Sequence, residues 1–317
     1  MRSLFVMDPL PGIDQAGDST WMLMLESRRR GWPVHWCEPR DLYSQGGDVF
    51  ARAHGFEGLD QPPHYRSEGP TELALADCRL VWMRKDPPID MDYFLCTYLL
   101  DLAARRTTVL NAPRAIQLAN EKIFALHFPE LCPETMVSAD PARVRAEVER
   151  MGQAVIKPWD GCGGRGVVIT RAGDPNLGVL AELLTDQGRR AAIVQRYLPA
   201  IAAGDKRIIL VDGEPRGWLN RVPGPRDHRG NMHVGASAQP CELDDRDRSI
   251  CDVIGPSLKE HGMIFVGIDV IGGLLTEINV TSPTGIQEAN RFMGVTLERD
   301  IIDAAVRRAH LQHGDEA

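Results

Sequence analysis

Asp269, Glu277 and Asn279 are the residues whose types and spacing point most directly to chemistry. They interrupt an otherwise apolar, strand-like run from Phe265 to Val280. A buried carboxylate is unfavourable unless a cation or hydrogen bonds compensate it. Glu277 and Asn279 stand two apart, so on a strand they share a face. Hard oxygen donors at that spacing suit Mg²⁺, which keeps part of its water shell and completes it with substrate phosphates. The pair equally fits the solvated face of an amphipathic hairpin, and this segment alone leaves both readings open. In a regular ladder, a two-residue Gly272-Gly273 turn pairs Asp269 with Thr276 and turns it away from Glu277. Shared ions need one face. The expectation is therefore a three-residue connection, Gly272-Gly273-Leu274, with a glycine in the left-handed conformation.

Upstream, Lys157 ends an apolar run and precedes Gly161, Gly163, Gly164 and Gly166. Glycines let successive backbone N–H groups approach an anion, although the same stretch also suits a plain hairpin turn. It is no P-loop, because the lysine precedes the glycines and no Gly-Lys-Ser/Thr follows. Its glycine spacing is also wrong for a dinucleotide fingerprint. Arg207 and Arg221 flank Asp212-Gly213, and their forks suit carboxylates or phosphates as well as cross-strand ion pairs.

Taken in order, these segments resemble the ATP-grasp superfamily and, within it, the bacterial glutathione synthetases, along nearly the whole chain. The matching pieces are Val6 to Pro9, Asp18-Ser19-Thr20, Trp82 to Pro88, Asn120-Glu121-Lys122 and Lys157 to Gly164. They continue through Gly204 to Arg207, Asp212-Gly213-Glu214, Gly255 to Glu260, and Phe265 to Pro283. The resemblance implies a mixed α/β and α+β architecture, the ATP-grasp fold with an N-terminal parallel α/β domain. That domain would span 1–118, a lid subdomain 119–198, and a C-terminal ATP-grasp subdomain with the metal site 199–317. The implied activity is an ATP- and Mg²⁺-dependent ligase, with Mn²⁺ as a substitute ion, joining γ-glutamylcysteine to glycine through an acyl phosphate. The resemblance gives Lys122, Lys157, Gly161, Gly163, Gly164, Gln195, Tyr197 and Leu198 to the nucleotide. It gives Asp269, Glu277 and Asn279 to the metal, and Arg84, Thr281, Ser282 and Pro283 to the substrate. Arg207, Arg221 and Arg229 become the catalytic cations, with Arg229 in a mobile lid over 222–237. A lid is sensible there, because water hydrolyses an acyl phosphate. Family members are cytoplasmic and often tetrameric, so a homo-oligomer is expected.

Two departures keep alternatives open. Ser237 stands where the resemblance expects a second lid arginine, and Gly285-Ile286-Gln287 replaces a more polar, arginine-containing stretch. A ligase for a different dipeptide or amine fits these changes. So does a catalytically weak ATP-binding regulatory protein, although the complete lysine and metal sets argue against it.

Bulk properties narrow the field. The chain has 317 residues, a net charge of −8, 43% hydrophobic and 25% charged residues. That length can bury a large core in two or three subdomains. The negative charge argues against sequence-independent nucleic-acid binding. The longest apolar stretches carry Asp101, Asp269 or Glu277, which opposes a membrane span. Seven dispersed cysteines without Cys-x-x-Cys spacing suggest reduced thiols. Cys162 lies within the proposed phosphate loop.

The elements that must position these residues follow from periodicity and punctuation. Strands are expected over 2–7, 34–37, 80–83 and 109–111, with helices over 19–30 and 91–105. This alternation predicts a parallel sheet. Residues 44–70, rich in Gly, Pro and charge, read as a long loop with partial structure. Strands over 154–157 and 167–170 flank the glycine loop and imply an antiparallel hairpin. A helix over 141–151 precedes that hairpin; a helix over 177–187 and a strand over 193–196 follow it. Asp212-Gly213 predicts a type I′ hairpin between 208–211 and 216–222. Helices over 246–261 and 297–310 bracket the acidic hairpin.

Overall fold

The computed structural model describes residues 1–161, 163–224, 230 and 235–314. The first sheet is built on β1 (Ser3–Val6), β2 (Val34–Cys37), β3 (Leu42–Gln45), β4 (Asp48–Gly58), β5 (Tyr65–Ser67), β6 (Thr71–Ala74), β7 (Leu80–Met83) and β8 (Thr108–Leu110). Helices α1 (Ser19–Arg29) and α2 (Met91–Ala103) cover it. Its path is β3-β4-β2-β1-β7-β8, with β5 and β6 also paired to β4. The strands β2-β1-β7-β8 are parallel, and β4 joins β2 antiparallel. Alternation divides the core. Leu4 and Val6 of β1 pack with Tyr93 and Leu100 of α2, whereas Phe5 packs with Leu23 of α1. Asp18 caps α1, accepting from the N–H groups of Thr20 at 2.6 Å and Trp21 at 3.1 Å.

After α3 (Pro113–Leu118) come β9 (Thr135–Ser138), α4 (Pro141–Met151), β10 (Gln153–Pro158), β11 (Val168–Arg171), α5 (Leu177–Leu184) and β12 (Ala192–Arg196). These strands form an antiparallel sheet in the order β11-β10-β12-β9. It has its own core, including Val144, Val148, Ile156, Ala181 and Val194. The third sheet follows: β13 (Asp205–Val211), β14 (Glu214–Val222), β15 (Ser237–Gln239), α6 (Asp245–Glu260), β16 (Phe265–Ile271) and β17 (Leu274–Asn279). Its order is β15-β14-β13-β16-β17. Helices α7 (Ile286–Met293) and α8 (Leu297–His313) close the chain. Ile301 and Ile302 of α8 share one core with Phe5, Trp82, Ile209 and Leu219. The first and third sheets are thus packed through a common helix.

Two expectations need correction. Residues 44–70 are not mainly loop, because they hold the 11-residue β4 and the short β5. Val49, Ala51, Ala53 and Phe56 are buried along β4. Small alanines and internal glycines weaken the alternating signal there, and pairing on both sides supplies the stability. The second correction concerns the acidic hairpin. Ile271 pairs with Leu274, so the turn is the two residues Gly272 and Gly273, not three. Both have positive φ, 57° and 76°, as a type I′ turn requires. A bulge supplies the register instead: Val270 pairs with Leu275, Asp269 with Glu277, and Thr276 is the extra residue. The Thr276 hydroxyl donates to the Asp269 carbonyl at 3.1 Å, which anchors the bulge. Asp269 and Glu277 therefore share a face, as expected, by a different device. The Asp212-Gly213 turn is as expected, with φ of 51° and 83°.

Candidate active site

Ladder register assembles the charged cluster. Arg207 lies opposite Asp269, and Asp269 opposite Glu277; Asp205 lies opposite Arg221, and Gly267 opposite Asn279. Paired residues share a face, so β14, β13, β16 and β17 present these side chains together. Arg207 Nε donates to Asp269 Oδ1 at 2.6 Å and Nη2 to Oδ2 at 3.2 Å. Arg221 Nη2 lies 3.0 Å from the same Oδ1 and also pairs with Asp205. Gly267 leaves space for this fork: a Cβ there would come within 3.0 Å of Pro283 Cβ and 3.2 Å of Arg207 Cδ. Burial works to raise the Asp269 carboxyl, but Arg207 and Arg221 hold it well below the usual carboxylate range. Asn279 Nδ2 donates to Gly267 O at 3.1 Å and lies 3.3 Å from Asp269 Oδ2.

Two buried lysines converge on Glu277. Lys122 Nζ is 3.4 Å and Lys157 Nζ 3.7 Å from Glu277 Oε1. Lys122 also donates to the Gly161 carbonyl, tying its turn to the glycine loop. Burial lowers the Lys157 ammonium against the pull of Glu277. Glu277 itself is held low by Lys122 and Lys157, against burial. These groups open onto a single cleft. Gly161, Gly163, Gly164, Gln195, Tyr197 and Leu198 line it, as do Asp269 and Glu277. Val155, Ile169, Ile201 and Ile271 add an apolar wall. Lys122 is no surface lysine, at 7% exposure.

A second cleft, about 1100 Å³, lies against the first sheet and includes Asp8, Asp18, Thr20, Arg84, Asp86 and Thr284 in its lining. Arg84 is 4% exposed. Its Nε donates to Thr20 Oγ1 at 3.1 Å and its Nη2 to Pro283 O at 2.9 Å. Its guanidinium stands 4.9 Å from the Phe265 ring centroid. Among the described residues no carboxylate forms an ion pair with it. Thr281 donates to Glu121 Oε1 at 2.7 Å, and Ser282 stands near Asp86, working to lower its carboxyl against burial. The sequence-derived candidates thus fall into two neighbouring groups joined by the 281–284 segment.

Sequence reasoning missed Glu121 and Asp205 as members of this cluster. Each lies inside a motif already noted, one residue before Lys122 and two before Arg207. Burial raises the carboxyls of both, while Lys122 and Arg221 respectively oppose the shift. The apolar wall was indistinguishable from core. Arg229, with Arg226, His228, His233 and Cys162, lies outside the described residues. Ser237 opens β15 opposite Val222 and is exposed. No helix among the described residues is long and apolar enough to cross a membrane.

The antiparallel second sheet, the paired lysines and the acidic hairpin lie within the region that matches an ATP-grasp domain, and the chain is an ATP-dependent ligase of the ATP-grasp class. Solved structures share the fold. The D-cycloserine synthetase DcsG matches with a TM-score of 0.67 and 14% identity, over 97% of this chain and 99% of that one. The ATP-grasp ligase PsnB matches with a TM-score of 0.62 and 18% identity, over 97% and 99%. The chain belongs to the prokaryotic glutathione synthetase family, whose N-terminal domain matches residues 1–117 and whose ATP-grasp domain matches 121–294. The glutathione synthetase of Escherichia coli K12 is 42% identical over 313 residues, covering 97% of this chain and 98% of its own. That of Prochlorococcus marinus MIT 9313 is 45% identical over 303 residues, covering 95% and 97%.

Proposed function

We propose that the protein is a glutathione synthetase, joining γ-glutamylcysteine to glycine with conversion of ATP to ADP and phosphate. The carrying observation is the convergence of Lys122 and Lys157 on Glu277, beside the Arg207–Asp269 fork, at one cleft. In this reading the cysteinyl carboxylate oxygen attacks the γ-phosphorus and ADP leaves. The glycine nitrogen then attacks the acyl carbon, phosphate leaves, and the amine loses a proton. No protein nucleophile is needed. Lys122 and Lys157 meet the phosphates, the apolar wall with Gln195, Tyr197 and Leu198 holds the base, and Arg207 and Arg221 face the charge on the transferred phosphoryl group. Arg84 meets a carboxylate of the acyl donor, and Thr281, Ser282 and Pro283 border it. Arg229 is carried over as the lid cation.

Two carboxylates and an amide oxygen fit Mg²⁺, or Mn²⁺, better than a softer ion. Asp269, Glu277 and Asn279 would hold it, and it would supply charge neutralisation for the triphosphate. The unit boundaries 1–118, 119–198 and 199–317 belong to the same reading, as do a cytoplasmic location and a homo-oligomer, the tetramer included. The exposed row Met91, Leu95 and Tyr98 along α2 supports a contact between copies.

The test is ADP release by the purified protein with ATP, Mg²⁺, γ-glutamylcysteine and glycine, with the tripeptide read by mass spectrometry. Release that requires both co-substrates and yields glutathione supports the assignment. Release without tripeptide, or none at all, sinks it. One observation favours a second reading, a different acceptor amine. Gln287 places a neutral amide where the resemblance expects a cation-bearing stretch; its Nε2 donates to Asp18 O at 2.7 Å and its Oε1 is buried with no partner among the described residues. An amine panel at fixed dipeptide separates the two.

A further inference from the structure

The sequence motif Asn120-Glu121-Lys122 leaves one member without a role. Its turn is tightly built: Asn120 Oδ1 accepts from the backbone N–H groups of Lys122 and Ile123, each at 3.1 Å. From this turn three connections leave in different directions. Lys122 reaches the Gly161 carbonyl and Glu277 in the first cleft. The Glu121 carbonyl accepts from Ile278 N–H at 2.8 Å, fixing β17 between Glu277 and Asn279. The Glu121 carboxylate accepts from the buried Thr281 hydroxyl at 2.7 Å. Thr281 opens the segment whose next residues reach the second cleft: Pro283 O accepts from Arg84, and Thr284, which lines that cleft, accepts from Arg207 through its carbonyl.

We propose that Glu121 is a positioning residue that couples occupancy of the Lys157 cleft to the 281–284 segment beside the Arg84 cleft. The proposal rests on the first cleft being the nucleotide site. A phosphate arriving at Lys122 and Lys157 draws on the same turn that holds Thr281. The turn is short and internally bonded, so it moves as one piece. Glu121 then sets where Thr281, and through it the backbone oxygens of Pro283 and Thr284, stand relative to Arg84 and Arg207. Glu121 touches neither reacting atoms nor phosphate in this account. It acts through Thr281.

The experiment uses hydrogen exchange by mass spectrometry together with steady-state kinetics, on the full chain. In the wild type, ATP with Mg²⁺ slows exchange both in 157–166 and in 279–286. In Glu121→Ala, protection by ATP persists in 157–166 and is lost in 279–286. The Michaelis constant for the acyl dipeptide rises about tenfold, while that for ATP stays within about twofold, as loss of one charged hydrogen bond at a remote point predicts. Glu121→Gln, which can still accept from Thr281, restores both readouts. Thr281→Val, cutting the same bond from the other side, reproduces the loss, and the double variant is no worse than either single. Protection lost in both segments, equal rises for ATP and dipeptide, or additive effects in the double variant would each overturn the coupling. The exchange readout needs no acyl substrate, so it stands even where the protein proves to use a different dipeptide. Failure of ATP to protect 157–166 in the wild type would overturn the nucleotide-site reading and this inference with it.

Discussion

In the Lys157 cleft the buried charges named above meet opposite partners: Lys122 and Lys157 share Glu277, and Asp269 is held by Arg207 and Arg221. In the Arg84 cleft a guanidinium equally deep in the protein meets, among the described residues, a hydroxyl, a backbone carbonyl and an aromatic ring, with the Asp18 and Asp86 carboxylates acting on it without a direct ion pair. Nearby Tyr93 places a hydroxyl in the interior with no hydrogen-bond partner among the described residues. The first cleft is a compensated network, whose charges are oriented before any ligand arrives. The second keeps polar capacity unspent, as a site does when the missing charge belongs to a ligand. Desolvated groups without partners cost stability, so the two regions should answer mutation with opposite signs.

The largest effects are expected in the compensated network. Glu277→Ala and Lys157→Ala should each lower turnover roughly a hundredfold, about 3 kcal/mol of transition-state stabilisation. Their stabilities should diverge. Lys157→Ala removes a buried charge and leaves Glu277 paired with Lys122, so unfolding free energy changes little. Glu277→Ala removes the carboxylate that two buried ammonium groups share, leaving Lys122 its bond to the Gly161 carbonyl, and should cost about 3 kcal/mol, the lower end for a broken buried pair because Glu277 keeps 22% exposure. Urea denaturation without nucleotide reads both. Equal stability losses would mean that the network is not organised around Glu277.

That organisation was only partly legible in the sequence. Asp269, Glu277 and Lys157 stood out because charge in or at the end of an apolar run is conspicuous, Asn279 by its spacing from Glu277, whereas Lys122 came only with the family resemblance. Strands such as Leu80–Met83 and the helix Pro141–Met151 matched expectation because burial and caps mark them locally. What failed was information carried by partners. The bulge at Thr276 follows from pairing across a hairpin, and a turn-length argument reached the right face through the wrong connection. Strand β4 is stabilised by neighbours on both edges rather than by its own propensity. Glu121 meets Thr281 across 160 positions of sequence, and no local pattern shows that bond.

Acid should expose the same network. The folded Asp269 carboxyl is held below its ordinary value, near 4 in an unfolded chain. Between those two values the unfolded chain binds more protons, so stability rises with pH there. The contribution is complete above about pH 4 and is lost as pH falls through the folded value. Asp269→Asn should start less stable near neutrality, because two arginines lose their partner. It should then lose less on acidification than the wild type. Parallel melting-temperature curves from about pH 6 to pH 3 would remove Asp269 from the account of acid stability.

The Arg84 cleft should behave oppositely. Arg84→Met keeps much of the packing on Phe265 and removes a desolvated charge that has no ionic partner. Without ligand, unfolding free energy should change by less than about 1 kcal/mol or increase. The Michaelis constant for the acyl dipeptide should rise about tenfold or more, since a charge-assisted bond to its carboxylate is lost. A large stability loss with unchanged kinetics would make Arg84 a structural bracket between Thr20 and Pro283 and erase the contrast between the clefts.

The smallest effect is expected at Tyr93. The residue is 3% exposed, and its hydroxyl lacks a hydrogen-bond partner among the described residues. Burial first, then the Glu121 carboxylate, pushes the phenol well above its ordinary value, so the group is neutral throughout the working range. An interior hydroxyl that finds no acceptor carries a desolvation cost without a compensating bond, and phenylalanine has the same ring without that cost. Tyr93→Phe should therefore raise unfolding free energy by about 1 kcal/mol. Rates and Michaelis constants for ATP, dipeptide and amine should stay within about twofold, because the ring still fills the space under the Arg84 loop. The variant separates two kinds of unspent polarity in that region: a charge facing a cleft, which a ligand can use, and a hydroxyl sealed in the core, which it cannot. A fall in melting temperature, or a selective rise in one Michaelis constant, would move Tyr93 into the first kind and extend the ligand-facing surface beneath α2.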